Sequence, residues 1–293
     1  MGGTKKHIIL FSLVLWAFFW YSCTRVAVPA HRVASGKNGV VVSSHPLASE
    51  IGLKVLRNGG NAVDAAVATG LALGVVDQFN SGLGGGGFMV IRMGDGAIYT
   101  VDGREMAPMA AHRDMFLRDG EYRPHLSRRG PLAVGVPGLL ALYGLALELA
   151  GTRPLAELIE PSITVAREGF ALDSYYVSRY TDVADELRKD PASSLIYFRS
   201  DGSLLREGNI LRQPDLADTY RRIAEEGVDY FYRGEFAREL AAFMASVGGL
   251  ITEEDMARYQ AVVRDPVVGR YNDVTVMGMG PPSSGGVHVI EIL

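Results

Sequence analysis

The chain predicts an α/β fold, and three features early in the sequence carry that prediction. Residues 46–57 place Leu47, Ile51 and Val55 at four-residue intervals, the apolar stripe of an amphipathic helix. Residues 62–76 are mostly Ala, Val, Leu and Gly, which describes a helix buried on every side whose small residues admit close neighbours. Residues 88–93 and 97–101 then read as two strands around Gly94-Asp95-Gly96, a turn suited to a hairpin.

At 293 residues, 48% hydrophobic and 21% charged, the composition is that of a globular protein with one large core or two modest ones. The net charge of −4 gives no basic face for nucleic acid. Cys23 is the single cysteine, so no disulfide forms within the sequence, and His, Asp and Glu show no metal-ligand spacing.

Residues 1–30 read as a signal peptide and residues 31–293 as one folded region. Lys5 and Lys6 precede an apolar run over residues 8–21, short for a bilayer span and right for a signal core. Ser22-Cys23 fits a lipoprotein signal, although Trp20 and Tyr21 are bulky for one; cleavage after Ala30 and an uncleaved anchor are the other two readings. All three export the protein, to the periplasm or beyond, with membrane attachment only through the signal or a lipid at Cys23.

Each element follows from local chemistry. Residues 39–44 are a β-branched run expected as a buried strand. Pro46 suits a first helical turn, and Asn58-Gly59-Gly60 stops the helix. Asn61, with Asp64 three residues on, caps the next helix. Residues 109–129 are loop-rich and charged, 131–138 a strand and turn, and 138–150 a helix ended by Gly151. Pro154 and Pro161 each mark a first turn, which predicts two short helices through Glu168. A polar helix over 173–189, a small hairpin over 197–207 around Asp201-Gly202, and helices over 214–226 and 235–246 follow. Thr252 and Asp255 resemble a capping box, and 261–264, 267–271 and 274–279 read as strands.

Three places invite chemistry. Gly82, Gly84 and Gly87 formally spell G-x-G-x-x-G, but a helix precedes them and a strand follows, the reverse of a nucleotide loop. Close backbone approach is the better reading. Arg104 lies just past a strand end, and its guanidinium is a planar fork able to hold both oxygens of a carboxylate. The plain structural alternative is an ion pair with Asp102 or Glu105. Ser283-Ser284-Gly285-Gly286 has neither the S-x-x-K nor the G-x-S-x-G pattern; Ser284 reads as the N-cap of a helix from Val287, and His288 as a packed or surface histidine.

Taken together, GGNAVDAAVA, GLGGGGFM, D-x-REMAP, GVPG, GGLIT and PPSSGG, in that order over residues 33–293, make the chain resemble the large subunit of gamma-glutamyltranspeptidases, members of the N-terminal-nucleophile hydrolase superfamily. The resemblance implies part of a four-layer αββα sandwich, with exposed strand edges and an open core face. It implies a gamma-glutamyltransferase or glutathione hydrolase made as a zymogen, which passes γ-glutamyl groups from glutathione or related compounds through a threonine acyl-enzyme to water, an amino acid or a peptide. It implies that Arg104 holds the substrate α-carboxylate, and it implies no cofactor. The family often has an aromatic where this chain has Gly103, which bears on the wall beside Arg104. The nucleophile is the first threonine of a Thr-Thr-His-aromatic motif downstream of Pro-Ser-Ser-Gly-Gly, and no threonine here is followed by Thr-His. The expectation is a chain incomplete at its C-terminus, without the small subunit and its oxyanion hole, and inactive alone. A relative acting on another amide, of poly-γ-glutamate depolymerase or cephalosporin acylase type, and a non-catalytic exported γ-glutamyl-binding protein are the alternatives.

Overall fold

A computed structural model describes residues 33–293, so the leader read into residues 1–30 lies outside the described part. The chain divides into a unit ending at Val40 and a second running from Val41 to Leu293. Residues 33–40 form no regular element, and the second unit is α/β.

Helix α1 (Pro46–Arg57) opens with Pro46 in its first turn, and His45 caps it, Nδ1 accepting the Leu47 N–H at 3.2 Å. Helix α2 (Ala62–Val76) starts from a complete capping box between Asn61 and Asp64. It is the axis of the core, with eleven of its 15 residues buried. Its small side chains let Tyr220 reach in and donate its hydroxyl to the Leu71 carbonyl at 3.0 Å. Strands β1 (Gly87–Arg92) and β2 (Ile98–Gly103) form an antiparallel pair that sets Gly87 opposite Gly103 and Phe88 opposite Asp102.

The turn-rich stretch that follows holds a minute hairpin, β3 (Leu117–Arg118) with β4 (Glu121–Tyr122). Helix α3 (Leu139–Ala150) then lies across β1 and β2 and also touches α2. Helix α4 (Leu155–Glu168) packs on α2 and leads to β5 (Phe170–Ala171). Three short helices, α5 (Ser174–Thr181), α6 (Ala184–Lys189) and α7 (Pro191–Tyr197), precede β6 (Ile210–Leu211), which pairs with β5. Helix α8 (Pro214–Glu226) covers α4, so the helical layer runs α1, α2, α4, α8. Next come α9 (Val228–Tyr232), α10 (Glu235–Val247) and α11 (Glu253–Arg258), the last opened by the Thr252–Asp255 capping box. Strand β7 (Val262–Arg264) joins the far side of β2, giving the sheet order β1-β2-β7. Strands β8 (Val267–Tyr271) and β9 (Val274–Gly278) pair as a hairpin, and α12 (Gly285–Ile292) packs on it.

Five local expectations are corrected. Residues 39–44 pair with no strand among the described residues. Val40 and Val42 point into solvent, and β-branched runs favour a strand only where a half-buried pleated surface receives them. Pro161 does not start a second helix but sits inside a continuous α4. Burial of Leu158, Ile159 and Ile163 against the neighbouring helices outweighs the one hydrogen bond that proline forgoes. The helix expected over 173–189 breaks between Thr181 and Ala184, where two β-branched residues flank Asp182. Residues 131–138 hold a single 3₁₀ turn and one isolated bridge, Met106 with Val136, instead of a strand. Ser284 occupies the capping position of α12 but makes no cap bond; the neighbouring Ser283 Oγ accepts the Gly285 N–H at 3.2 Å, and the helix begins two residues before Val287.

Candidate substrate-anchoring site

The glycine loop between α2 and β1 is built for backbone approach. A side-chain carbon at Gly86 would lie 2.5 Å from the Gly103 carbonyl oxygen and 2.8 Å from the Glu105 nitrogen, so only glycine lets this loop lie against the end of β2. The Gly85 carbonyl accepts the N–H groups of Gly138 and Leu139, at 2.9 and 3.0 Å. The N-terminus of α3 is thereby occupied by backbone, which agrees with a structural role for the loop and leaves no phosphate cradle there.

Arg104 follows β2 directly. Its N–H donates to Asp102 Oδ1 at 2.9 Å, and its carbonyl accepts from the Tyr259 hydroxyl at 2.8 Å. Asp102 is buried, and its second oxygen takes Arg264 Nε at 2.6 Å. The carboxylate of Asp102 is therefore spent on Arg264 and on the backbone, not on the Arg104 guanidinium. Glu105 is the charged neighbour that remains, with its Oε2 3.0 Å from an Arg104 terminal nitrogen. That contact is close in distance, yet Oε2 has no aligned hydrogen-bond donor, so the pair is an ion pair and not a fork. The Arg104 side chain is 60% exposed, whereas the Glu105 oxygen that faces it is buried, so solvent screens the pair from the arginine side only. The geometry leaves the guanidinium fork available on a fixed backbone.

Gly103 does not shape a wall beside Arg104. A side chain there would run into Leu142, and Leu142 is buried in α3. Position 103 faces the core, and Leu142 fills the volume that a larger residue would need. Ser284 precedes α12 and His288 lies on it, where His288 Nδ1 lies 3.1 Å from Glu291 on the surface. Sequence reasoning read Asp255 only as part of a capping box and Arg264 only as part of a strand, did not single out Tyr259, and linked none of the three to Arg104. Their only local signals are a capping box and a β-branched run, and neither points back to Arg104. Among the described residues no group of three or more His, Cys, Asp or Glu side chains gathers as for a metal.

The profile of the gamma-glutamyltranspeptidase family matches residues 48–293. The chain belongs to that family. It is 43% identical over 258 residues to the glutathione hydrolase proenzyme of Escherichia coli (strain K12), an overlap of 88% of this chain and 44% of the relative. It is 40% identical over 267 residues to the Acylase ACY 1 proenzyme of Pseudomonas sp. (strain SE83), covering 89% of this chain and 48% of that protein. The crystal structure of Helicobacter pylori gamma-glutamyltranspeptidase superposes with a TM-score of 0.86 at 42% identity, over 89% of this chain and 75% of that one. This gamma-glutamyltranspeptidase family chain thus has the N-terminal-nucleophile hydrolase fold, and it spans less than half the length of the curated relatives it matches.

Proposed function

We propose that these residues are the carboxylate-anchoring part of an enzyme that transfers or hydrolyses γ-glutamyl groups, taken from glutathione or a related compound. Arg104 holds the substrate α-carboxylate. A threonine outside these 293 residues forms the acyl-enzyme, with its own freed α-amino group as base, and water, an amino acid or a peptide takes the acyl group. The observation that carries the reading is the Arg104 guanidinium: solvent-open, unmatched by an aligned carboxylate, and mounted beside the glycine loop on an anchored strand end. The E. coli relative's name, a glutathione hydrolase proenzyme, supports both the substrate class and a precursor form. The likeness to an acylase proenzyme supports a second reading, in which the same fold and anchor serve a different amide.

The test is Arg104→Ala in the enzyme as its own gene makes it. A charged hydrogen bond contributes about 1.5–3 kcal/mol, and a substrate carboxylate left without its partner loses more. The variant should therefore mature normally and lose about tenfold to a thousandfold in kcat/KM toward a γ-glutamyl anilide. Arg104→Lys should recover only part, because a point charge does not reproduce the fork. A matured Arg104→Ala enzyme that turns over like wild type would sink the anchor. Preference for a carboxylate-bearing acyl donor other than a γ-glutamyl group would favour the second reading.

A further inference from the structure

The backbone beneath Arg104 is held more firmly than an exposed arginine requires. Besides the bonds to Asp102 and Tyr259, Met106 exchanges two backbone hydrogen bonds with Val136, at 3.2 and 2.8 Å. The Met109 N–H then donates to Asp255 Oδ1 at 2.7 Å. Tyr259 and Asp255 come from a segment about 150 residues further along the chain. Tyr259 is itself fixed: it is 5% exposed and stacks on Tyr232, with ring centroids 5.6 Å apart and planes at 13°. Tyr232 in turn donates to the Pro137 carbonyl at 3.0 Å and accepts the Ala141 N–H at 3.1 Å. Asp102 is fixed by Arg264, whose place is set by the β2–β7 register that puts Arg264 opposite Thr100. Above this framework the guanidinium has one misaligned partner.

We infer that Tyr259 and Asp102 are positioning residues for Arg104, fixing the direction in which its fork leaves the sheet. The segment from Thr252 to Arg264 is then part of carboxylate recognition, acting through the Arg104 carbonyl and the Asp102 carboxylate. The inference rests on Arg104 being the anchor. Its physical basis is that two parallel N–H···O bonds require a planar match, and a long side chain on a loose backbone samples that match rarely. Asp102 takes the N–H of Arg104 and Tyr259 takes its carbonyl, so both peptide planes flanking the residue are tied down.

Tyr259→Phe is the informative variant, because it keeps the ring and its stacking and removes only the hydroxyl. In hydrogen–deuterium exchange on the 293-residue chain, the amides of Arg104 and Met106 should exchange about three- to tenfold faster, the size of one net hydrogen bond, while α2 and α8 stay unchanged. In the enzyme as its gene makes it, Tyr259→Phe should lower kcat/KM for a γ-glutamyl anilide by a similar factor. That loss should vanish in an Arg104→Ala background, since a residue acting through Arg104 has nothing left to position. Asp102→Asn, which keeps an acceptor for the Arg104 N–H, should retain more activity than Asp102→Ala. Unchanged exchange at Arg104 and Met106 in Tyr259→Phe overturns the inference whatever Arg104 does. An equal loss with and without Arg104 also overturns it, by assigning Tyr259 to general structure. If Arg104→Ala alone leaves the kinetics intact, the anchor itself falls and the positioning role with it, and the exchange result then reports only on loop order.

Discussion

Asp64, fully buried at the start of α2, accepts four well-formed hydrogen bonds: from the N–H of Asn61 at 2.8 Å, the N–H and hydroxyl of Thr152 at 2.8 and 2.5 Å, and the N–H of Arg153 at 3.1 Å. Burial pushes its carboxyl pKa up, but the Thr152 hydroxyl and the three backbone N–H groups together bring it below the ordinary carboxylate value. A carboxylate held low in the folded state adds stability above its unfolded value of about 4, and that stability is lost as pH falls through the folded value. Asp64→Asn should therefore flatten the acid limb of a melting-temperature profile below about pH 4, and Asp64→Ala should cost roughly 2–4 kcal/mol at neutral pH. A wild-type acid limb in Asp64→Asn would show that other carboxylates control acid unfolding. Only half of this site was legible in the sequence. The spacing of Asn61 and Asp64 announced the cap, but nothing local announced Thr152 and Arg153, which arrive with the α3–α4 turn. Arg104 follows the same pattern, because its fork and its place past a strand end can be read locally whereas Tyr259 and Arg264 reach it only through the tertiary fold.

Among the elements, those whose ends carry caps or glycines matched the sequence closely. Helices α2 and α8 fall where the pattern put them, and β1 and β2 lie within a residue or two of it, because the signals that end these elements are chemical and local. Where packing decides, the sequence misled: Pro161 is carried inside α4 by its buried neighbours, and residues 39–44 find no strand to pair with among the described residues. Helix α1 holds a testable device. Its N-cap is His45, whose Nδ1 must be unprotonated to accept the Leu47 N–H, and whose ring lies edge-on to Phe170 at 5.9 Å. Burial lowers the His45 pKa, against the opposing pull of Asp173 and Asp77. A histidine kept neutral by folding adds stability above its unfolded value of about 6.5, and that stability is lost as pH falls through this value toward the lower folded one. The positive charge would also face the positive end of the helix dipole. His45→Asn, a cap that does not titrate, should remove a pH-dependent contribution of about 1 kcal/mol below pH ~6.5 while matching wild type near pH 8. Parallel unfolding curves for the two proteins at every pH from 5 to 8 would refute this.

At the scale of the whole molecule, apolar surface and catalytic equipment are unevenly distributed. Val262 and Val263 on β7, and Val268 and Val274 on the β8–β9 hairpin, are all 45–58% exposed, and because consecutive strand residues point to opposite faces these strands leave apolar side chains in solvent on both faces. Export is a separate expectation of the whole chain, from Lys5, Lys6 and the apolar run over residues 8–21. Fractionation of a tagged protein should place it outside the cytoplasm. Fatty-acid labelling lost in Cys23→Ala would select the lipoprotein signal, and an intact mass beginning at His31 would select cleavage after Ala30. The strongest whole-molecule prediction concerns catalysis. Acyl transfer in this superfamily needs a threonine, serine or cysteine whose own amino group is freed, and the family's Thr-Thr-His motif does not occur in these 293 residues. In the proposed reading Arg104 holds a carboxylate, but binding that is equal in ground and transition states does not lower a barrier. The purified 293-residue chain should therefore neither cleave itself nor release chromophore from a γ-glutamyl anilide, even at substrate concentrations that saturate the anchor. Release above a buffer blank, abolished by Arg104→Ala, would mean that a nucleophile lies within these residues, and the threonines and serines nearest Arg104 would be the first to replace.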